Sequence, residues 1–126
     1  MKYVKTGDDL AVRLDPGEEI IASVLKIAKD EDIRFAEISA IGAVGSAVFG
    51  LYDLEEQKYH SLTFVQPLEL VSLNGNLSRK DGEPYLHLHA AFADEKGAVI
   101  GGHLNEAVIS ATCRSEEHTS ELQSHL

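Results

Sequence analysis

Apolar residues recur at helical spacing in residues 15–33, which read DPGEEIIASVLKIAKDEDI. Such a stripe is typical of a helix that packs one face against a core. Asp15 lies at the predicted N-cap, Pro16 at the first helical position, and Glu18 completes a pattern like a capping box. The segment therefore predicts the principal helix of the domain. The residues of its apolar stripe are Ile20, Ile21, Val24, Leu25, Ile27 and Ala28.

Elsewhere apolar and polar residues alternate in short runs, which is the pattern of β-strands. The predicted strands are DLAVRL, RFAEISAIG, GSAVFGLYD, KYHSLTFVQ, LELVSLNGNLS, YLHLHAAFAD, AVIGGHL and AVISATC. Turns are predicted at Asp53–Glu56, Gln66–Pro67, Lys80–Pro84 and Asp94–Gly97, and RKDGEP is a hairpin because Asp-Gly tolerates positive φ. One helix followed by many antiparallel strands predicts an α+β fold: a mainly antiparallel β-sheet with the principal helix packed on it.

The strand YLHLHAAFAD places two histidines on one face. Because side chains alternate along a strand, His87 and His89 share one side with Ala91, and the leucines between them face the core. His103, behind Gly101 and Gly102, could return on a neighbouring strand. Three imidazoles can bind one zinc, copper, iron or nickel ion and leave a coordination position open. The alternative is that a half-exposed strand carries these histidines without any chemical role.

Other side chains add little to this candidate metal site. Glu69 and Glu83 are considered as a fourth ligand, and His60 is interpreted as a surface residue of an alternating strand. The glycines of IGAVGSAVFG do not have the G-x-G-x-x-G spacing of a dinucleotide site, so bulges or close backbone approach explain them. No nucleophile or acid–base pair stands out. The sequence therefore predicts no catalytic and no cofactor-binding residues, and it leaves open, leaning against, whether the protein is an enzyme.

The chain of 126 residues has a formal net charge of −10, which repels phosphate backbones. No run approaches the roughly 18 apolar residues of a membrane span. No apolar run follows the first lysines, so no secretory signal is expected. One cysteine, Cys113, cannot form an internal disulfide. These features predict a cytoplasmic protein without a membrane partner.

The end of the chain, Arg114 to Leu126 (RSEEHTSELQSHL), has no apolar periodicity. From Arg114 to Ser124 it resembles the translation of a sequencing-library adapter. We therefore predict a domain at residues 1–113, truncated before its last strand, and a non-native or disordered tail at residues 114–126. Residues 1–113 carry ten Lys and Arg against eighteen Asp and Glu, a net charge of −8, and the tail histidines are not counted as ligands.

The order of GE, IGA, GN, LHLH and GGHL between about Asp9 and Thr112 resembles the PPC (plants and prokaryotes conserved) domain, in its stand-alone prokaryotic form. The resemblance implies an α+β fold, a homotrimer, and a divalent metal, zinc, bound by His87, His89 and His103. Plant members carry AT-hooks that contact DNA, and the family is labelled DNA-binding by association. No R-G-R-P core occurs in this chain.

Two functions follow as hypotheses. The first is a small oligomeric binding and regulatory module that assembles with itself or with a protein partner and holds a three-histidine metal site. The acidic charge disfavours direct DNA binding by such a module. The alternative is a small metal-dependent enzyme that uses the open position of the same site.

Overall fold

The computed structural model describes residues 1–110 and 120–125, with seven β-strands and one α-helix in these ranges. The elements are β1 (Lys2–Thr6), β2 (Asp9–Leu14), α1 (Ile20–Asp30), β3 (Ala36–Asp53), β4 (Lys58–Lys80), β5 (Glu83–Ala93), β6 (Val99–Ile109) and β7 (Ser120–His125). Every strand pairing is antiparallel. The predicted α+β class, with a mainly antiparallel sheet and one principal helix, is confirmed.

The sheet has the strand order β1-β2-β7-β3-β4-β5-β6 and also joins β6 to β3. This extra pairing closes β3, β4, β5 and β6 into a ring of strands. The long strand β3 makes the closure possible, because its first half pairs with β7 and its second half pairs with β6. As a result, β6 leaves β5 part-way along its length and continues along β3.

The core lies between the inner face of the sheet and α1, which packs against β5 and β6. Alternation buries every second residue of β2, and the apolar stripe of the helix supplies Ile20, Val24 and Ile27. Phe49 is at the centre of an aromatic stack, with ring centroids 5.4 Å from Phe64 and 5.5 Å from Phe92. In the described part of the chain, no helix has the length and apolar character needed to cross a membrane.

The helix begins at Ile20, so the predicted N-cap at Asp15 is wrong. Gly17 N–H donates to the carbonyl oxygen of Ile109, and Ile109 N–H donates back to that of Glu18, which holds this segment against the end of β6. The Glu19 carboxylate caps the helix instead. It accepts hydrogen bonds from the N–H groups of Ile21 and Ala22 at 2.8 Å.

Replacing Glu19 with alanine is expected to destabilise the fold by about 1–2 kcal/mol, because N–H groups of the first turn lose their acceptor. The same carboxylate also accepts from Ala107 N–H of β6, at 3.1 Å. Glu19→Gln, which retains one acceptor oxygen, should lose less. Urea unfolding measures the stability of both Glu19 variants, with the loop substitution Glu95→Ala as the control. Equal stability of Glu19→Ala and Glu95→Ala would show that the cap contributes nothing.

Four predicted strands merge into two long ones. RFAEISAIG and GSAVFGLYD form β3, and KYHSLTFVQ and LELVSLNGNLS form β4, so the turn predicted at Gln66–Pro67 is wrong. The register shifts there, from Val44 opposite Leu68 to Ser46 opposite Val65. A bulge therefore accommodates the proline, which cannot donate to the ladder. AVIGGHL and AVISATC likewise merge, as far as Ile109, into β6.

The hairpin predicted in RKDGEP is confirmed. Lys80 pairs with Glu83, and the two residues between them, Asp81 and Gly82, both have positive φ, at 53° and 80°. Two-residue loops of this kind match the twist of the flanking strands. The hairpin fixes the register of β4 against β5, and therefore the face to which the histidines of β5 point.

The predicted tail at residues 114–126 lies mostly outside the described residues. Its described part, β7, pairs with β2 on one side and with β3 on the other. The domain boundary at residue 113 and the non-native origin of the tail stay predictions.

Candidate metal centre

The structure brings His87, His89 and His103 together on the outer face of the sheet. The ring centroid of His87 lies 5.1 Å from the centroid of His89 and 5.1 Å from that of His103. The centroids of His89 and His103 are 5.9 Å apart. One ring nitrogen from each side chain lies within 4.8 Å of the other two. The three imidazoles chosen from the sequence thus converge on a single point.

Strand geometry explains the convergence. His87 and His89 share a face of β5 because they are two residues apart. His89 and His103 are directly paired across β5 and β6, which places their side chains on the same face. His103 also pairs with Gly50 of β3, so it lies where β6 changes partner. A Cβ at Gly101 would overlap the facing backbone of β5, and one at Gly102 the backbone of β3. Glycine is required for this close approach.

The environment keeps the imidazoles available as ligands. His87 and His89 are exposed, and His103 is half-buried. Burial lowers the pKa of His103 below its ordinary value of 6.5, and the positive forms of His87 and His89 lower it further. Among residues 1–110, no side-chain or backbone group is hydrogen-bonded to a ring nitrogen of these histidines. Neutral imidazole is the form that binds metals, so the lowered pKa favours a ligand role.

The donor set fits a divalent metal. A tetrahedral zinc ion with nitrogens at about 2.0–2.1 Å holds them about 3.4 Å apart. The distances between the ring nitrogens exceed that spacing by at most about 1.5 Å, a difference that small side-chain rotations can remove. Neither Glu69 nor Glu83 belongs to the cluster, so both are wrong as fourth ligands. The arrangement supplies three imidazole nitrogens, two of them from exposed side chains.

A second group of ligand-type side chains lies at the β3–β4 turn and was missed from the sequence. Asp53, Glu56 and His60 have one ligand atom each within 4.8 Å of the others. The Asp53 carboxylate accepts hydrogen bonds from the N–H groups of Glu55 and Glu56 and so closes the turn. His60 lies 3.1 Å from the Glu56 carboxylate. Turn formation and a hydrogen bond between His60 and Glu56 account for this group without a metal.

The lowered pKa of His103 predicts a pH dependence of the metal-free protein. Below about pH 6.5, His103 binds a proton more readily in the unfolded chain than in the folded one. The free energy of unfolding should therefore fall as the pH drops through the folded pKa. Urea unfolding after chelator treatment, between about pH 7.5 and about pH 5.5, measures this. His103→Gln should show a shallower decline than the wild type over that interval. An identical pH profile for the two would refute the prediction.

The family model of the Plants and Prokaryotes Conserved (PCC) domain matches residues 1–115. The chain belongs to this family. The resemblance seen in the order of the GE, IGA, GN, LHLH and GGHL motifs is thereby confirmed.

Solved structures with this fold include a PPC protein from Pyrococcus horikoshii, at 31% identity and a TM-score of 0.83 over 99% of this chain and 82% of that one. The metal-containing protein AF0104 from Archaeoglobus fulgidus is 36% identical, with a TM-score of 0.83 over 96% of this chain and 80% of that chain. A candidate DNA-binding protein from Bacteroides thetaiotaomicron is 25% identical, with a TM-score of 0.90 over 98% and 82%.

Curated relatives place the PCC domain in longer proteins. The bifunctional protein GlmU of Synechococcus sp. strain JA-3-3Ab is 31% identical over 102 residues, and that of strain JA-2-3B'a(2-13) is 30% identical. These alignments cover 80% of this chain and 15% of each relative. The chain therefore spans a small fraction of the length of these relatives.

Proposed function

We propose that this PCC domain is a metal-binding module whose divalent ion, zinc, is held by His87, His89 and His103. The observation that carries the proposal is the convergence of three imidazole nitrogens within 4.8 Å. The metal-containing relative AF0104, at 36% identity, supports it independently. The ion would complete its shell with water or a small anion, because three protein ligands leave one position of a tetrahedron free.

We propose that the module assembles as a homotrimer and that it also binds a protein partner. Support comes from large apolar side chains left exposed on the β3–β4 hairpin: Leu51 and Leu62 on one face of the strands, and Leu54 in the turn. Grouped exposed apolar residues are typical of surfaces that a partner covers. The lone Cys113 supports a reducing, cytoplasmic setting. We also propose that residues 1–113 belong to the native domain and that residues 114–126 are foreign to it.

Direct DNA binding is not part of the proposal, although some relatives carry that name. Residues 1–113 have a net charge of −8. Binding to duplex DNA depends on lysines and arginines that neutralise phosphates, whereas an acidic surface repels the phosphates. A regulatory role would then act through protein contacts.

Elemental analysis combined with light scattering tests the proposal. The purified wild type should contain one equivalent of zinc or another divalent metal per chain and should have three times the mass of one chain. Chelator treatment should remove the metal, and added Zn²⁺ should restore one equivalent. A metal-free protein that takes up no ion at micromolar concentrations would refute the metal function. A monomeric mass would refute the trimer alone.

A second candidate function is metal-dependent catalysis at the same centre. It is favoured by the exposure of His87 and His89, which lets small molecules reach the open position. A zinc ion with three histidines can activate water or polarise a carbonyl. Turnover of a small ester or anhydride that depends on the metal and is lost in His87→Ala would establish it.

A further inference from the structure

Tyr59 contacts the strand of His103 from the opposite side of β3. Tyr59 belongs to β4 and pairs with Tyr52, whereas His103 belongs to β6 and pairs with Gly50, so β3 lies between them. The Tyr59 hydroxyl donates a hydrogen bond of 2.7 Å to Oδ1 of Asn105 and lies 3.5 Å from the carbonyl oxygen of His103. The side chain thus bridges two strands that are not neighbours.

The ring of Tyr59 also meets the His103 ring directly. Their centroids are 6.1 Å apart and the ring planes are nearly perpendicular, at 89°. An edge-to-face contact of this kind is favourable and directional. Because His87 and His89 flank the other side of His103, the tyrosine limits the rotation of this imidazole away from the cluster.

Metal-binding histidines usually donate their second ring N–H to a carboxylate or carbonyl, which fixes the ring orientation. Within residues 1–110 no such partner is hydrogen-bonded to a ring nitrogen of His103. Outside the three-histidine cluster, Tyr59 contacts both the ring of His103 and its backbone carbonyl oxygen. Tyr59 is therefore the neighbour outside the cluster that is placed to orient the His103 ring.

We infer that Tyr59, held by Asn105, is a positioning residue of the metal centre. It fixes the His103 imidazole, and with it the segment of β6 where the strand changes partner, in the orientation that a metal requires. The inference rests on the proposed function, because it assigns a role toward the same three-histidine site. Asn105 acts by anchoring the tyrosine hydroxyl.

The test is Zn²⁺ affinity, measured by competition with a chromophoric chelator. Tyr59→Phe and Asn105→Ala should each weaken binding about tenfold, the lower end of the range for residues that orient metal ligands. The double variant should lose little more than either single variant, because both changes break one hydrogen bond. Tyr59→Ala, which also removes the ring contact, should lose more. Tyr85→Phe is the matched control, since Tyr85 and Tyr59 are both 43% exposed.

Two further measurements separate positioning from general stability. The visible spectrum of the Co²⁺-loaded protein reports ligand geometry, and Tyr59→Phe should change it while Tyr85→Phe does not. Thermal unfolding of the metal-free variants should be similar. Wild-type affinity and spectrum in Tyr59→Phe would overturn the inference and leave the metal function standing. Absence of metal binding in the wild type would overturn both.

Discussion

Replacing His103 with alanine is expected to abolish stoichiometric metal binding. In the proposed centre His103 supplies one of three nitrogens, and it lies on a different strand from the other two histidines. The variant would retain two histidines of one strand. It would lose one of three protein ligands, and the lost one is the half-buried His103. We expect an affinity loss of at least about 100-fold, the upper end of what even outer-shell changes cost. Elemental analysis and chelator competition measure this directly.

His60→Ala is the matched control for this experiment. His60 is also a histidine of the sheet, but it belongs to the group at the β3–β4 turn with Asp53 and Glu56. Its loss should leave one equivalent of metal bound. The reverse result, in which His103→Ala retains the metal and His60→Ala loses it, would place the metal at the turn and refute the three-histidine centre. Metal-free unfolding of both variants shows whether either change damages the fold.

Replacing Phe49 with alanine is expected to destabilise the metal-free protein by about 3–5 kcal/mol. The side chain is 1% exposed and packs between Phe64 and Phe92, so its removal costs burial, stacking contacts and a cavity. The loss is a large fraction of the typical stability of a small domain, about 5–15 kcal/mol. Urea unfolding at a fixed protein concentration, after chelator treatment, gives the free energy.

Phe35→Ala serves as the control because Phe35 is 67% exposed and lies outside the core. Its effect should stay within about 0.5 kcal/mol in the isolated chain. A loss below about 1 kcal/mol for Phe49→Ala would mean that the aromatic stack does not hold the ring of strands together. Phe49 pairs with Leu104, next to His103, so the destabilised variant should also bind metal more weakly.

Local patterns in the sequence predicted the elements whose geometry depends on near neighbours. The alternation in YLHLHAAFAD correctly placed Leu88 and Phe92 in the core and the two histidines outside, because strand side chains alternate with a period of two residues. Asp-Gly at residues 81–82 correctly predicted a tight hairpin. The apolar stripe predicted the helix, and the family motifs predicted the class of fold.

Boundaries that depend on distant contacts could not be predicted in the same way. The helix starts five residues after Asp15 because the intervening segment pairs with the end of β6. The strand β1 was missed because Lys2–Thr6 has little apolar alternation and, among the described strands, pairs only with β2. Gln66 and Pro67 look like a turn locally, yet a bulge carries β4 through them because β3 continues on the other side.

The sequence by itself determined the fold class, the outward face of His87 and His89, and the choice of His103 as their companion. Only the tertiary structure decided that His103 reaches them, because this requires β6 to pair first with β5 and then with β3 at a point where glycines permit close approach. It also decided that Tyr59 supports His103, since that contact crosses a strand and leaves no mark in residue spacing. The period of a strand determines which face a side chain occupies. The distance between side chains of different strands depends instead on how the ring of strands closes.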